Sequence, residues 1–121
     1  MNVEDTVAQE IIRKMSDEGF ISEKRYADAY VRGKLNQNKW GRLKVAYSLN
    51  KKGIDQELID LTFTQFGEEK YRGIAVKLIR KKYDETKEVN PFVKKQKTAR
   101  FMISKGFEGR LVWEILNEGT F

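Results

Sequence analysis

The 121-residue chain has no cysteine, no histidine and a single proline. Without cysteine there are no disulfides and no thiolate ligands, and without histidine there are no imidazole ligands and no Cys–His or Ser–His nucleophilic system. Only carboxylates remain for a hard cation such as Mg²⁺. The acids Asp55, Glu57 and Asp60 are the nearest thing to a paired set, but Asp55 reads as a helix cap and the other two as solvated helix positions. There is no glycine-rich phosphate loop and no metal-ligand spacing. Nothing in the chain approaches the roughly 20 consecutive apolar residues that span a bilayer. The opening Met1-Asn2-Val3-Glu4-Asp5 lacks the basic-then-apolar order of a secretory signal. A cytoplasmic, monomeric protein is expected, with no enzymatic activity, no cofactor, no metal and no membrane partner; the missing cysteine fits a reducing compartment.

The chain does have positive charge, and it is unevenly placed. Lys and Arg number 24 against 18 acids, a net charge of +6. Lys24 to Lys52 holds nine basic residues against the single acid Asp28, and Lys70 to Lys105 holds twelve against Asp84, Glu85 and Glu88. Acids collect elsewhere, at Asp55-Gln56-Glu57-Leu58-Ile59-Asp60 and at Glu68-Glu69. Such clustering points to an acidic partner surface or a nucleic-acid backbone, or else to a solvated lysine-rich face.

The apolar residues recur with helical spacing and show no sustained period of two. A first helix is expected over residues 3–18 (Val7, Ala8, Ile11, Ile12, Met15), ended by Gly19. A second starts at the N-cap Ser22 and carries Tyr26, Ala27, Tyr30, Val31 and Leu35. A third begins at Trp40-Gly41-Arg42 and closes at Gly53, and a fourth is capped by Asp55. A fifth comes after Gly67, with Tyr71, Ile74, Ala75, Leu78 and Ile79 on one side and Arg72, Lys77, Arg80 and Lys81 on the other. Tyr83 to Val89 reads as a loop. Asn90-Pro91, an N-cap followed by proline at the first helical position, starts a sixth helix, and a seventh runs from Glu108 to Asn117.

One phrase occurs three times: a large apolar residue, three spacers, a glycine, an apolar residue. The copies are Met15 to Phe20, Leu49 to Ile54 and Met102 to Phe107. A glycine there can take the left-handed conformation that ends a helix, with the next apolar residue folding back on the last turn. Beyond the second and third copies the apolar spacing also agrees, with Leu58, Ile59 and Phe63 matching Leu111, Val112 and Leu116. The expected fold class is all-α, with tandem three-helix repeats forming an elongated helical array. Residues 3–20 would be the last helix of an incomplete first repeat, 22–66 a second repeat and 68–117 a third.

Four stretches in this order carry a resemblance. They are Ile21-Ser22-Glu23-Lys24-Arg25-Tyr26-Ala27-Asp28-Ala29-Tyr30-Val31, then Lys39-Trp40-Gly41-Arg42-Leu43-Lys44, then Leu49-x-x-Lys52-Gly53-Ile54, and finally Arg100-Phe101-Met102-x-x-Lys105-Gly106-Phe107. Together they resemble the RecX family, bacterial regulators of the RecA recombinase. Family members typically have three three-helix repeats, and this chain lacks the first two helices of the first. The resemblance implies negative regulation without catalysis. It implies binding in the groove of the RecA–single-stranded DNA filament, blocking extension or promoting disassembly, and lowering ATPase, strand-exchange and coprotease activities. An autonomous basic helical domain that binds single- or double-stranded DNA, weakly, is the alternative; a helical scaffold for another partner is a third.

The candidate contacts are basic. Lys39, Arg42 and Lys44 surround the start of the third helix, where backbone amides add to an anion site; Trp40 among them reads as packing against Tyr30 or Tyr47. Lys52 lies in the next turn region. Arg80, Lys81 and Lys82, with Lys94, Lys95, Lys97 and Arg100, flank one loop, either as a partner site or as a solvated face tempered by nearby acids. Tyr26, Tyr30 and Tyr71 belong to apolar stripes and read as core. Tyr83 is the one tyrosine placed to stack on a base, and Trp113 lies off its stripe as an exposed anchor.

Overall fold

The computed structural model describes the backbone of residues 3–119 and the side chains of residues 18–19 and 21–119. Six helices succeed one another among these residues, with no strand: α1 (Val3–Asn36), α2 (Arg42–Lys51), α3 (Gln56–Phe66), α4 (Glu68–Glu85), α5 (Pro91–Ser104) and α6 (Gly109–Glu118). The all-α reading holds. The second half of α1 packs on α2 and α3, while α4, α5 and α6 pack on one another. Contacts of α4 with α1 and α3 join the two trios. At 1.5 Å per residue the 34-residue α1 is about 51 Å long, longer than the roughly 30 Å of a small domain.

Two of the three glycine phrases end helices. Gly53 and Gly106 have φ of 87° and 97°. The amide of Ile54 donates to Leu49 O at 3.1 Å and that of Gly53 to Asn50 O at 3.0 Å; Phe107 to Met102 O and Gly106 to Ile103 O repeat the pattern at 3.1 and 3.0 Å. This is the Schellman arrangement, in which a left-handed residue lets two orphan carbonyls be satisfied. Ile54 and Phe107, next in sequence, are buried in the same core as Leu49 and Met102.

The first phrase does not end a helix. Gly19 is absent from the positive-φ residues, and α1 runs through it and through Ser22 to Asn36. The two helices expected on either side of Gly19 are therefore one, and the count falls from seven to six. A glycine inside a helix costs about 1 kcal/mol relative to alanine. Keeping every amide in the i→i−4 ladder outweighs that. The stripe Val7, Ala8, Ile11, Ile12 and Met15 lies outside the described side chains.

A second correction concerns α4. It continues to Glu85, so Tyr83 is on the helix and not in a loop. Tyr71, Ala75, Ile79 and Tyr83 are spaced by four and all buried. Tyr83 is 7% exposed, which removes it as a base-stacking residue. Asn90 caps α5 as expected, its side chain accepting from the amides of Phe92 and Val93. Asp55 stands at the N-cap of α3, but its side chain makes no capping bond. One core joins Ala27, Val31 and Leu35 of α1 to Val45 and Leu49, Leu58 and Ile59, Tyr71, Ala75 and Ile79, Met102 and Phe107, and Val112, Ile115 and Leu116.

Candidate partner-binding surface

The backbone amides at the start of α2 are not open to an anion, because the second trio fills their place. Three amides there are already taken: Gly41 N donates to Lys105 O at 2.8 Å and Leu43 N to Gly106 O at 3.0 Å, and Arg42 N donates to Tyr71 Oη at 3.0 Å. The left-handed turn that ends α5 thus caps α2 with its carbonyls. Two glycines permit the approach. A Cβ on Gly41 would stand 2.1 Å from Gly106 C and Phe107 N, and one on Gly106 would stand 2.4 Å from Lys44 Cβ.

Arg42 locks the same junction. Its Nε donates to Glu108 Oε2 at 2.7 Å and its Nη1 to Glu68 Oε2 at 2.6 Å. Its guanidinium lies 4.1 Å from the centroid of the Tyr71 ring, and Tyr71 Oη donates to Glu108 Oε1. Burial opposes the charge on Arg42, but the bonds to Glu68 and Glu108 more than offset it and raise the pKa. Burial, followed by the bond to Glu108, pushes the Tyr71 hydroxyl well above its usual range. Arg42 is therefore a structural clamp between α2, α4 and the N-cap of α6. Neither Glu108 nor the Tyr71 hydroxyl stood out in the sequence, since their partner is 66 and 29 residues away.

Around the clamp lies a strip of aromatic rings and lysines. Tyr26 and Tyr30 stack at 5.9 Å; Tyr26 is exposed and Tyr30 half-buried, so Tyr26 is not core as its stripe suggested. Lys34 Nζ sits 4.5 Å and Lys44 Nζ 4.4 Å from the Trp40 ring, while Lys52 Nζ is 5.9 Å from Tyr30. Tyr30 Oη bonds Ser48 Oγ. Trp40 and Trp113 are both half-buried against the core, so Trp113 is not a free anchor.

The consecutive Arg80, Lys81 and Lys82 point three ways, as successive 100° steps on a helix require. Arg80 lines a small cleft with Arg72, Ile115 and Glu118, where Arg72 Nη2 pairs with Glu118 at 2.6 Å. Lys82 lines a shallow cleft with Lys87, Lys97 and Arg100; there Lys97 pairs with Glu88 at 3.0 Å, a bond that holds the exposed Glu88 carboxyl below its usual range. Lys94 lies over the Tyr83 ring at 4.4 Å. Lys95 is half-buried beside it and lines neither cleft. The basic flanks of the loop are thus several sites, not one.

Lys81 faces a third place, a groove of about 520 Å³ between the end of α1 and the outer face of α4. Its lining from α4 is Lys70, Gly73, Ile74, Lys77, Leu78 and Lys81, with Asn36 and Lys39 on the opposite wall. No acidic side chain lines it. Among the described residues no group of His, Cys, Asp or Glu is arranged to hold a metal, and no helix is long and apolar enough to cross a membrane.

Residues 22–62 match the second three-helix domain of RecX, and residues 69–116 match the third. The chain belongs to the RecX family. Similar members include the regulatory protein RecX of Clostridium perfringens strain 13, 29% identical over 107 residues that make up 87% of this chain and 49% of that protein. That of Neisseria meningitidis serogroup A is 32% identical over 104 residues, 86% of this chain and 64% of the other. The crystal structure of RecX from Lactobacillus salivarius superposes with a TM-score of 0.74 at 27% identity, covering 91% of this chain and 71% of that one. The chain spans about half the length of the clostridial relatives it matches.

Proposed function

We propose that this RecX-family chain is a non-catalytic negative regulator of the RecA recombinase, acting in the cytoplasm. On this reading residues 22–66 and 68–117 are two three-helix units. Residues 3–20, the first half of α1, would be the last helix of an incomplete first unit and continue unbroken into the second. The chain would lie in the groove of the RecA–single-stranded DNA filament, block extension or promote disassembly, and lower the filament's ATPase, strand-exchange and coprotease activities. The observation that carries the reading is the pair of RecX three-helix matches in order on one clamped array. Extended helical arrays present long surfaces suited to binding along another polymer. A titration of RecA's DNA-dependent ATPase with the purified chain tests it. A fall in ATPase at stoichiometric chain is expected; unchanged ATPase in excess chain at low salt, with no co-sedimentation with the filament, overturns it.

The strip of Tyr26, Tyr30 and Trp40 among Lys34, Lys44 and Lys52 favours a second reading, direct binding of single-stranded DNA by stacking and charge. Binding to oligo(dT) without RecA should then weaken steeply with salt as counterions are released. A flat salt dependence, or preference for the filament over an excess of free DNA, rejects it.

A further inference from the structure

We propose that the groove between α1 and α4 is a docking site for a protein segment in which acidic side chains flank large apolar ones. Its floor and rails come from a single stripe. Residues 70, 73, 74, 77, 78 and 81 keep the i, i+3, i+4, i+7 spacing that puts them on one face of α4. Ile74 and Leu78 form the apolar floor, and Gly73 leaves it open: a Cβ there would meet nothing within 4 Å. Lys70, Lys77 and Lys81 run along the rim, with Lys39 across from them.

Among the described residues these lysines have no carboxylate partner. Among the described residues Lys39, Lys77 and Lys81 take part in no ion pair, and Lys70 lies over the Phe66 ring 4.7 Å away. Four described cations outside the groove do make ion pairs: Arg42 with Glu68 and Glu108, Arg72 with Glu114 and Glu118, Lys97 with Glu88, and Lys24 with Asp28. Lys39 adds a backbone sign. It is the one non-glycine described residue with positive φ, 57°, a conformation that a lysine adopts at a cost and that places it at the groove's rim. Four like charges on one groove repel one another, and an anionic occupant relieves that.

The floor decides which anion. A phosphodiester backbone needs donors along its track and aromatic faces for its bases. This groove offers two aliphatic side chains and a bare glycine between its lysines. That combination matches an amphipathic peptide, with apolar anchors on Ile74 and Leu78 and carboxylates on the lysines. The inference rests on the recombinase reading only for the partner's identity, since its chemistry is tested with a peptide alone.

The probe is a fluorescein-labelled peptide of about twelve residues mixing Asp and Glu with Leu and Phe, a length sufficient for two helical anchors. Its binding is tracked by anisotropy and by amide shifts of the full chain. Binding is expected, with the largest shifts at Ile74, Lys77 and Leu78. The double variant Lys77→Glu/Lys81→Glu should weaken it at least tenfold, and Gly73→Leu, which fills the floor, at least fivefold. Arg110→Glu, a charge change at an exposed position of α6, should leave it unaltered. A peptide with serine in place of Leu and Phe should bind at least tenfold more weakly. Equal binding of that serine peptide, equal binding by Gly73→Leu, or amide shifts away from the α4 stripe each overturn the proposal. So does oligo(dT) shifting the same amides more strongly than the peptide. The wild-type amide map decides the matter even where a variant fails to fold. No peptide binding by the parent chain while it inhibits the ATPase removes this site and leaves the recombinase reading; peptide binding by the parent chain without ATPase inhibition removes the recombinase and leaves the site.

Discussion

The start of α2 and the outer face of α4 are both rich in Lys and Arg, yet the fold treats them in opposite ways. At the start of α2 the first backbone amides and the Arg42 guanidinium are used internally. The amides take the carbonyls of Lys105 and Gly106, and Arg42 takes two carboxylates and the face of Tyr71. On α4 the lysines line an apolar floor without a carboxylate among them. A basic cluster is therefore evidence for a partner only after the internal acids are placed. Here those acids, Glu68 and Glu108, come from the other trio of helices. The junction joins the two trios, and the groove is left without a carboxylate in its lining.

The largest way to break this contrast is Gly41→Val. Its Cβ would fall on the backbone of Gly106 and Phe107, and backbone cannot rotate away. We expect a loss of about 3–5 kcal/mol in urea unfolding, at the upper end of single-site effects. Valine at Gly73, a substitution of the same size on the groove side, should change stability by under ~1 kcal/mol, because that position is open and valine is a tolerable helix residue.

Next comes Arg42→Met. It removes charge-assisted hydrogen bonds, worth about 1.5–3 kcal/mol together, with the arm to the exposed Glu68 contributing least. The same unfolding measurement on Lys77→Met should move by less than ~0.5 kcal/mol. Equal effects at the two sites would erase the distinction between them.

A smaller effect separates the glycines. Gly53→Ala forces a Cβ into the left-handed region at φ 87° and should cost about 1–2 kcal/mol. Gly19→Ala, inside continuous α1, should instead gain up to ~1 kcal/mol and add helicity. A destabilised Gly19→Ala would restore the helix end that the repeated phrase suggested.

The smallest is a pH effect. Tyr71 has a raised pKa, through burial first and the bond to Glu108 second. A group raised in the folded state contributes stability that is whole below its unfolded value of about 10 and is lost as pH rises beyond it. Alkaline unfolding above about pH 10 should therefore be shallower in Tyr71→Phe than in the parent. Identical slopes would show that the Tyr71 hydroxyl does not report on the junction.

Much of the architecture was legible because it is local. Gly53, Gly106 and Asn90-Pro91 each mark a helix end through bonds made within six residues. Gly19 misled because the same phrase is compatible with an interior helix position, and the residues after a glycine do not decide whether the ladder continues. The charged run after Tyr83 resembles a loop, yet 71, 75, 79 and 83 keep one spacing that carries the helix through it. The clamp was invisible, since Arg42 meets Glu68 and Glu108 across 26 and 66 residues. Of the basic candidates, Lys39 and Lys81 share the α1–α4 groove, Lys82, Lys97 and Arg100 share another cleft, and the half-buried Arg42 closes the junction. Only tertiary placement could sort them.

The contrast is tested most directly by the RecA filament's DNA-dependent ATPase, titrated with three proteins below their unfolding transitions: the parent chain, Arg42→Met and Lys77→Glu/Lys81→Glu. We expect the parent and Arg42→Met to inhibit at similar concentrations, while the groove variant needs at least tenfold more protein. Inhibition undiminished in the groove variant, or lost in Arg42→Met while it is folded, would contradict the division between junction and groove.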